Sequence, residues 1–293
     1  MRFFVQLLTR LAGAYLLCCM TSCSLFDSEE QLPTFIRIAD YKLTSAAGQT
    51  IEGDGISELW VYVNGDIVGI YDTIARVPVL ETGTCDITVF AGIKNNAMGM
   101  NRIRYPFYAA FDTTLNLIPG ETLDLNPIFQ YVSSAAMDES RDFESGNYFE
   151  QGNGNQGVLT VINDPVIAIQ GNRCGKASLS ASQSHMEFID GNHLSLTAGN
   201  TAFLEMNYSC NNTFSVGLYA VYDGVPRKEP ILYLVPTTTN GGDTPEWNKV
   251  FIDLGMMASQ HVYADYFTIY VESDKLESST PTVFLDNLKI VSW

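Results

Sequence analysis

The stretch Glu58-Leu59-Trp60-Val61-Tyr62-Val63-Asn64-Gly65-Asp66-Ile67-Val68-Gly69-Ile70-Tyr71 decides the fold class. Two β-rich runs flank an Asn-Gly dipeptide, the strongest short-range hairpin signal. Asn and Gly both tolerate the positive φ that a tight hairpin turn demands. Working outward, the same pattern recurs. Thr34–Leu43 (TFIRIADYKL) alternates roughly between apolar and polar. Val77–Leu80 leads through Glu81-Thr82-Gly83 to the strand Cys85–Ala91 (CDITVFA). Leu115–Ile118, the turn Pro119-Gly120 and Glu121–Leu125 make another strand-turn-strand. No long 3.6-residue apolar period follows Cys23, so long helices are not expected. Residues 33–131 read as an all-β unit of small-sandwich size.

The chain has 293 residues, with 16 Lys+Arg against 33 Asp+Glu and a formal charge of −17. That acidity excludes nucleic acid as the main partner, because phosphate binding needs a basic face. It also argues against electrostatic docking onto an anionic membrane surface. Apolar residues make up 46% and charged residues only 17%, which excludes a disordered acidic chain. The 15 Tyr and 16 Phe suit pleated surfaces.

The first ten residues carry Arg2 and Arg10 and no acid, and Leu11–Met20 (LAGAYLLCCM) is a short apolar run. It has signal-peptide length and is too short to span a bilayer. Met20-Thr21-Ser22-Cys23 follows and resembles a bacterial lipobox, in which Cys23 receives diacylglycerol. The competing reading is an ordinary secretory signal with an incidental cysteine. Residues 1–22 are expected to be the leader and 23–32 a lipidated tether. Cleavage removes Arg2 and Arg10, leaving 271 residues with a formal charge of −19. Several acyl chains, palmitate among them, anchor a protein stably. The acidic run Ser24–Gln31 resembles the export signal of lipoproteins on the outer face of the Bacteroidota outer membrane. A plain acidic tether is the alternative.

Three cysteines remain beyond Cys23: Cys85, Cys174 and Cys210. An odd number in an oxidising compartment leaves at least one unpaired. A Cys174–Cys210 bridge is allowed but not readable from spacing, and buried thiols are the commoner outcome.

Leu59–Lys94 resembles PEGA-like and carboxypeptidase-regulatory-like modules. The resemblance rests on Val61-Tyr62-Val63-Asn64-Gly65-Asp66-Ile67-Val68-Gly69 and on Gly83-Thr84-Cys85-Asp86-Ile87-Thr88-Val89. It implies a non-catalytic adhesive or spacer module. Within this unit, Gly92–Tyr108 (GIKNNAMGMNRIRYPFY) concentrates Lys94, Arg102 and Arg104 beside Tyr105, Phe107 and Tyr108. Arg and Tyr are enriched at interface hot spots, so this segment is a candidate partner-binding loop. A loop folded onto its own sandwich with the aromatics inward is the alternative.

Residues 132–157 read as an acidic, Gly/Asn-rich connector, and residues 158–293 as a second all-β unit whose first strand could begin near 142. Gly152-Asn153-Gly154-Asn155-Gln156-Gly157 matches the spacing of a dinucleotide fingerprint. It lacks the preceding strand and following helix that such a site needs. About nine strands are expected: Val158–Ile162, Ala177–Leu179, His193–Leu196, Ala202–Tyr208, Phe214–Val221, Ile231–Pro236, Lys249–Leu254, Tyr266–Val271 and Val283–Val291. That number suits a two-sheet jelly roll. Phe143-Glu144, Cys174–Leu179, Trp247-Asn248-Lys249 and Phe284–Ile290 (FLDNLKI) resemble marks of carbohydrate-binding jelly rolls. The resemblance implies a structural calcium ion held by Glu144 and Asp286, with Asp142 assisting; capping of a turn by Asp286-Asn287 is the alternative. It also implies aromatic sugar contacts, for which Trp247, Tyr219, Tyr222 and Tyr233 are the candidates. A core or sheet role is the commoner one for each of these residues.

No catalytic constellation emerges. His185, His193 and His261 are far apart, and no H-x-x-x-H pair, G-x-S-x-G elbow or P-loop occurs. Asp72-Thr73-Ile74 and Asp112-Thr113-Thr114 resemble the Bacteroidota O-glycosylation sequon, with Thr73 and Thr113 as acceptors. The expectation is an all-β protein: a small N-terminal β-sandwich, then a jelly roll. It is expected to be non-enzymatic, lipid-anchored at the outer membrane and facing the exterior, with no cofactor beyond calcium. Two functions compete. One is an accessory subunit binding an outer-membrane β-barrel protein or another envelope lipoprotein. The other is a glycan-binding lipoprotein beside an uptake system.

Overall fold

The computed structural model describes Arg2 and residues 30–238, 244–276 and 280–293. The expected lipidation site at Cys23 lies outside them. The chain is all-β. A six-residue helix at Gly255–Gln260 interrupts the strands, and no helix among the described residues is long and apolar enough to cross a membrane.

The first unit comprises β1 (Thr34–Ile38), β2 (Lys42–Thr44), β3 (Glu58–Val63), β4 (Asp66–Asp72), β5 (Ala75–Val79), β6 (Gly83–Lys94), β7 (Arg102–Arg104), β8 (Phe111–Leu117), β9 (Thr122–Leu125) and β10 (Ile128–Gln130). Its main sheet runs β4-β3-β6-β7, with β8 also on β6. Facing it are β5-β1-β9 and the pair β10-β2. The Asn-Gly turn closes the β3–β4 hairpin with Asn64 at φ 50° and Gly65 at φ 88°. Both central residues are left-handed, as the dipeptide requires. Alternation buries Leu59, Val61 and Val63 from β3 and Ile87, Val89 and Ala91 from β6. The Pro119-Gly120 turn does not close a hairpin. β8 pairs with β6, whereas β9 lies parallel to β1 in the facing layer. A turn signal reverses the chain without fixing which strand it joins.

The second unit comprises β11 (Ala136–Arg141), β12 (Phe149–Gln151), β13 (Val158–Asn163), β14 (Arg173–Ser178), β15 (His185–Asp190), β16 (Ala202–Cys210), β17 (Phe214–Tyr222), β18 (Val225–Leu234), β19 (Asn248–Asp253), β20 (Tyr266–Asp274) and β21 (Thr282–Ser292). A six-stranded sheet runs β13-β14-β21-β16-β19, with β11 also on β21; the five-stranded sheet runs β12-β15-β20-β17-β18. The two enclose a core that includes Met186, Phe188, Leu204, Met206, Leu218, Ile269 and Leu285. The stretch expected to be a connector therefore supplies strands to both sheets. β11 is acidic in sequence but buries Arg141 against Asp190. Residues 193–196 form no strand; their backbone pairs with β20 at the isolated Leu194–Phe267 bridge. The strand lies earlier, at His185–Asp190. The Gly152–Gly157 segment is a loop leading into β13, with no helix after it.

The two units share a core. Tyr105, Phe107 and Tyr108 cluster with Phe203, Phe251 and Val291 of the six-stranded sheet. Tyr105 sits 5.3 Å from Phe203 and 4.9 Å from Phe251 between ring centroids. Polar groups are paired within this contact. Glu205 is fully buried, and its carboxylate meets Lys249 Nζ at 2.7 Å, the Tyr105 hydroxyl at 2.7 Å and the Tyr131 hydroxyl at 2.8 Å. Burial opposes the Glu205 charge, but Lys249 and Lys289 outweigh it and hold its pKa below the ordinary value. The β6–β7 loop also docks on the free edge of β19, where Asn96 N–H donates to the Phe251 carbonyl.

This arrangement corrects the partner-loop expectation. The Gly92–Tyr108 aromatics are 0–4% exposed, because they face the second unit of the same chain. Lys94, Arg102 and Arg104 remain on the surface. Arg102 pairs with buried Glu58 at 2.9 Å, and Arg104 lies over the Phe90 ring at 4.6 Å.

Candidate functional site

The first unit covers part of the outer face of the six-stranded sheet, around Phe203, Phe251 and Val291, and leaves there a cavity of about 250 Å³ lined in part by Glu52, Asp142 and Asn207. The outer face of the five-stranded sheet is left open. Alternation decides which side chains stand on it. In β20, Phe267, Ile269 and Val271 go inward, leaving Tyr266, Thr268, Tyr270 and Glu272 outward. In β17, Val216, Leu218 and Ala220 go inward, leaving Ser215, Tyr219 and Val221 outward. Lys228 of β18 stands opposite Tyr219, and Glu187 of β15 opposite Glu272.

These residues form a polar bar across the middle of the sheet. Lys228 Nζ lies 3.1 Å from Glu187 Oε1 and 2.9 Å from Glu272 Oε1. The Tyr219 hydroxyl donates to Glu187, and the Lys228 ammonium sits 4.5 Å over the Tyr270 ring. Burial opposes the Lys228 charge, but hydrogen bonds to Glu272 and Glu187 hold its pKa above the usual lysine value. Burial and Glu187 together push the Tyr219 phenol upward, so it stays a neutral donor. Gly152 makes room for this bar. A Cβ there would lie 2.5 Å from Glu187 Cγ, so only glycine lets the β12–β13 loop pack against that side chain.

To one side of the bar is a cavity of about 430 Å³, lined by Asn153, Ile189, Tyr219, Val221, Gly224, Pro226, Tyr266 and Thr268. Tyr266 is held by stacking on His193 at 3.6 Å. To the other side is a cavity of about 290 Å³, lined in part by Ser215, Tyr233, Glu272 and Asp274. Tyr233 is 69% exposed there. Aromatic walls with a few fixed polar groups suit a small polar ligand with apolar faces.

The sugar-contact candidates separate. Tyr219 lines the larger cavity and Tyr233 the smaller one. Trp247 lies just before β19, on the side of the opposite sheet, where its indole N–H donates to the Ile167 carbonyl at 2.9 Å and pins a loop. Tyr222 packs on the core with its hydroxyl 2.7 Å from His261 Nδ1. Neither belongs to the groove, because Trp247 serves a loop and Tyr222 faces inward at a strand end. Tyr266, Glu187, Lys228 and Thr268 were not singled out in the sequence. Tyr266 could have been, since it shares the outward period of β20.

The calcium candidates do not form an oxygen cage. Glu144 Oε1 accepts the backbone N–H groups of Asn172 and Arg173 at 2.7 and 2.8 Å. Asp286 accepts those of Ile169 and Asn287 at 3.2 and 2.8 Å, and Asp142 accepts the Glu144 N–H at 3.0 Å. Each carboxylate is thus committed in part to backbone N–H groups. Among the described residues, the acids and histidine whose ligand atoms converge are His185, Glu187 and Glu272. There the Lys228 ammonium already bridges both carboxylates.

Cys85, Cys174 and Cys210 are free and buried. Burial pushes the Cys174 thiol up to about 12 and the Cys210 thiol up to about 11, so both are inert thiols. Thr73 sits half-buried at the turn after β4. Thr113 is half-buried in mid-β8, on the same side as Phe111 and Leu115. The residues that face solvent are its neighbours Asp112 and Thr114.

No protein-family model matches the sequence, and no curated protein matches it. Among solved structures, the chain is similar to one described under the promiscuous specificity of carbohydrate-binding modules from the β-sandwich superfamily. Identity is 13% and the TM-score 0.42, covering 89% of this chain and 98% of that one. A carbohydrate-binding module in complex with β-1,4-galactotriose shows 16% identity and a TM-score of 0.36, covering 52% and 95%. An arabinose-bound α-L-arabinofuranosidase shows 14% and 0.38, covering 54% of this chain and 26% of that chain.

Proposed function

We propose that this chain is a non-catalytic glycan-binding lipoprotein, anchored through Cys23 at the outer membrane and presenting its second unit to the exterior. The observation that carries the binding part is the Tyr219–Tyr266 cavity on the open sheet face. A pyranose offers an apolar face to aromatic rings and a hydroxylated rim to polar groups. Tyr219 and Tyr266 supply rings, and Asn153 and Thr268 supply amide and hydroxyl partners. The anchoring part rests on the lipobox-like run alone. The accessory-subunit reading loses its motive, since the aromatics of Gly92–Tyr108 are spent inside the chain.

Detergent-solubilised protein applied to a glycan array tests the binding reading. Retention of at least one glycan class, abolished by Tyr266→Ala, is the expected outcome. An array on which nothing binds overturns it. Metabolic labelling with a palmitate analogue tests the anchor. Label lost on Cys23→Ala supports it, and an unlabelled wild-type chain removes it.

A further inference from the structure

The two cavities on the open sheet face lie in line along the same strands, and we propose that they are one binding track for an internal stretch of a linear, uncharged glycan. This rests on the glycan-binding reading and narrows its ligand. The larger cavity takes Tyr266 from β20, and the smaller takes Glu272 of the same strand. Their nearest linings on that strand, Thr268 and Glu272, are four residues apart, roughly 13 Å at about 3.3 Å per residue. A single sugar in either cavity would leave the other unused. A chain running along β20 and β17 would meet Tyr266 and Tyr219 first, cross the Lys228–Glu187–Glu272 bar, and reach Tyr233. The bar is suited to lie under such a chain. The partly exposed Lys228 ammonium and Glu272 carboxylate offer a donor and an acceptor at mid-face, and buried Glu187 with the Tyr219 hydroxyl holds them in place.

Charge sets the ligand class. Neither cavity is lined by a lysine or arginine. Lys228 is matched by two carboxylates, and Asp274 adds a further acid beside the smaller cavity. A sulfated or uronic-acid chain would find no cation among the described residues that line the two cavities and would meet the field of an acidic protein.

Calorimetric titration of the detergent-solubilised chain decides the matter, using neutral β-1,4-linked gluco-, manno-, galacto- and xylo-oligosaccharides of two to six sugars. In the series that binds, affinity is expected to rise about tenfold or more from dimer to hexamer. Tyr233→Ala is expected to erase that gain. Tyr266→Ala is expected to weaken every length. Thermal unfolding confirms that both variants are folded. Equal affinity for dimer and hexamer, or a Tyr233→Ala variant that binds hexamer like wild type, overturns the track while leaving glycan binding intact. Tighter binding of polygalacturonate oligomers than of any neutral series overturns the uncharged class. Failure of every oligomer, charged or neutral, removes the glycan-binding reading itself.

Discussion

On the six-stranded sheet of the second unit, Phe203, Glu205, Lys249, Phe251 and Lys289 point away from the core. On the five-stranded sheet, Glu187, Tyr219, Lys228, Tyr266 and Tyr270 do. The compositions are alike: aromatics mixed with acids and lysines. The surroundings are not. Glu205 and Lys249 side chains are 0% and 2% exposed beneath the first unit, whereas Lys228 and Glu272 are 32% and 24% exposed. The aromatics of the covered face meet Tyr105, Phe107 and Tyr108, whereas Tyr219 and Tyr266 of the open face line a cavity. Composition therefore marks a face as built for contact, and only the fold says whether the contact is already made within the chain.

The strongest break in that comparison is Glu205→Ala. It removes the acceptor for Lys249 and for two tyrosine hydroxyls, leaving an ammonium buried without its partner. Losing one member of a buried pair typically costs about 3–5 kcal/mol. Urea unfolding is expected to show a loss of that order, with no change in glycan affinity for whatever remains folded. A loss below about 1 kcal/mol would mean that the two units are not locked through this carboxylate.

Next in size is a pH effect on the same covered face. Asp286 stands opposite Asn207 on β16, and burial raises its pKa to about 7 despite three backbone N–H donors. A carboxyl whose folded pKa exceeds its unfolded value stabilises the fold fully below about pH 4. That stabilisation is lost as pH rises to about 7. The expected swing from this group is on the order of a few kcal/mol. Denaturant midpoints measured from pH 4 to 8 are expected to fall, and Asp286→Asn is expected to flatten that fall. A slope unchanged by Asp286→Asn would place the titration elsewhere.

On the open face, stability and binding should come apart. Tyr266→Ala loses one stacked contact with His193, about 0.5–1.5 kcal/mol, and is expected to lower glycan affinity tenfold or more. Parallel thermal melts and titrations check this. Equal percentage losses in both would make Tyr266 a structural residue only.

Legibility in the sequence follows from the same contrast. The β3–β4 hairpin was readable because its turn needs two left-handed residues, and Asn64-Gly65 supplies them locally. The β15 strand was not. Met186 and Phe188 face inward and Glu187 outward, but the alternation then fails, with Ile189 turned to the outer cavity and Asp190 buried against Arg141. Three alternating residues are too short a run to declare a strand. β11 was masked likewise, since Arg141 is satisfied by Asp190 from 49 residues away. Of the site itself, only Tyr219 and Tyr233 were in view. Trp247 drew attention by type, while its N–H was committed to a loop carbonyl no local pattern reveals.

The smallest expected effect lies where the chain first suggested a partner. In Gly92–Tyr108 the aromatics turn inward and the cations outward, so the segment divides between the two kinds of face. Arg104 is exposed, and its guanidinium rests over Phe90 at 4.6 Å. An exposed cation–π contact is worth about 0.5–1 kcal/mol. Arg104→Ala is therefore expected to shift the melting temperature by a few degrees at most and to leave glycan binding intact. Tyr105→Ala, by contrast, takes a buried ring and the Glu205 hydrogen bond out of the shared core and should unfold far earlier. If the two variants instead destabilise equally, the division of this segment into a buried aromatic half and an exposed basic half is wrong. If Arg104→Ala alone releases the protein from a co-purifying barrel in detergent extracts, the basic half is an interface after all, and the open sheet face is not the only surface turned to a partner.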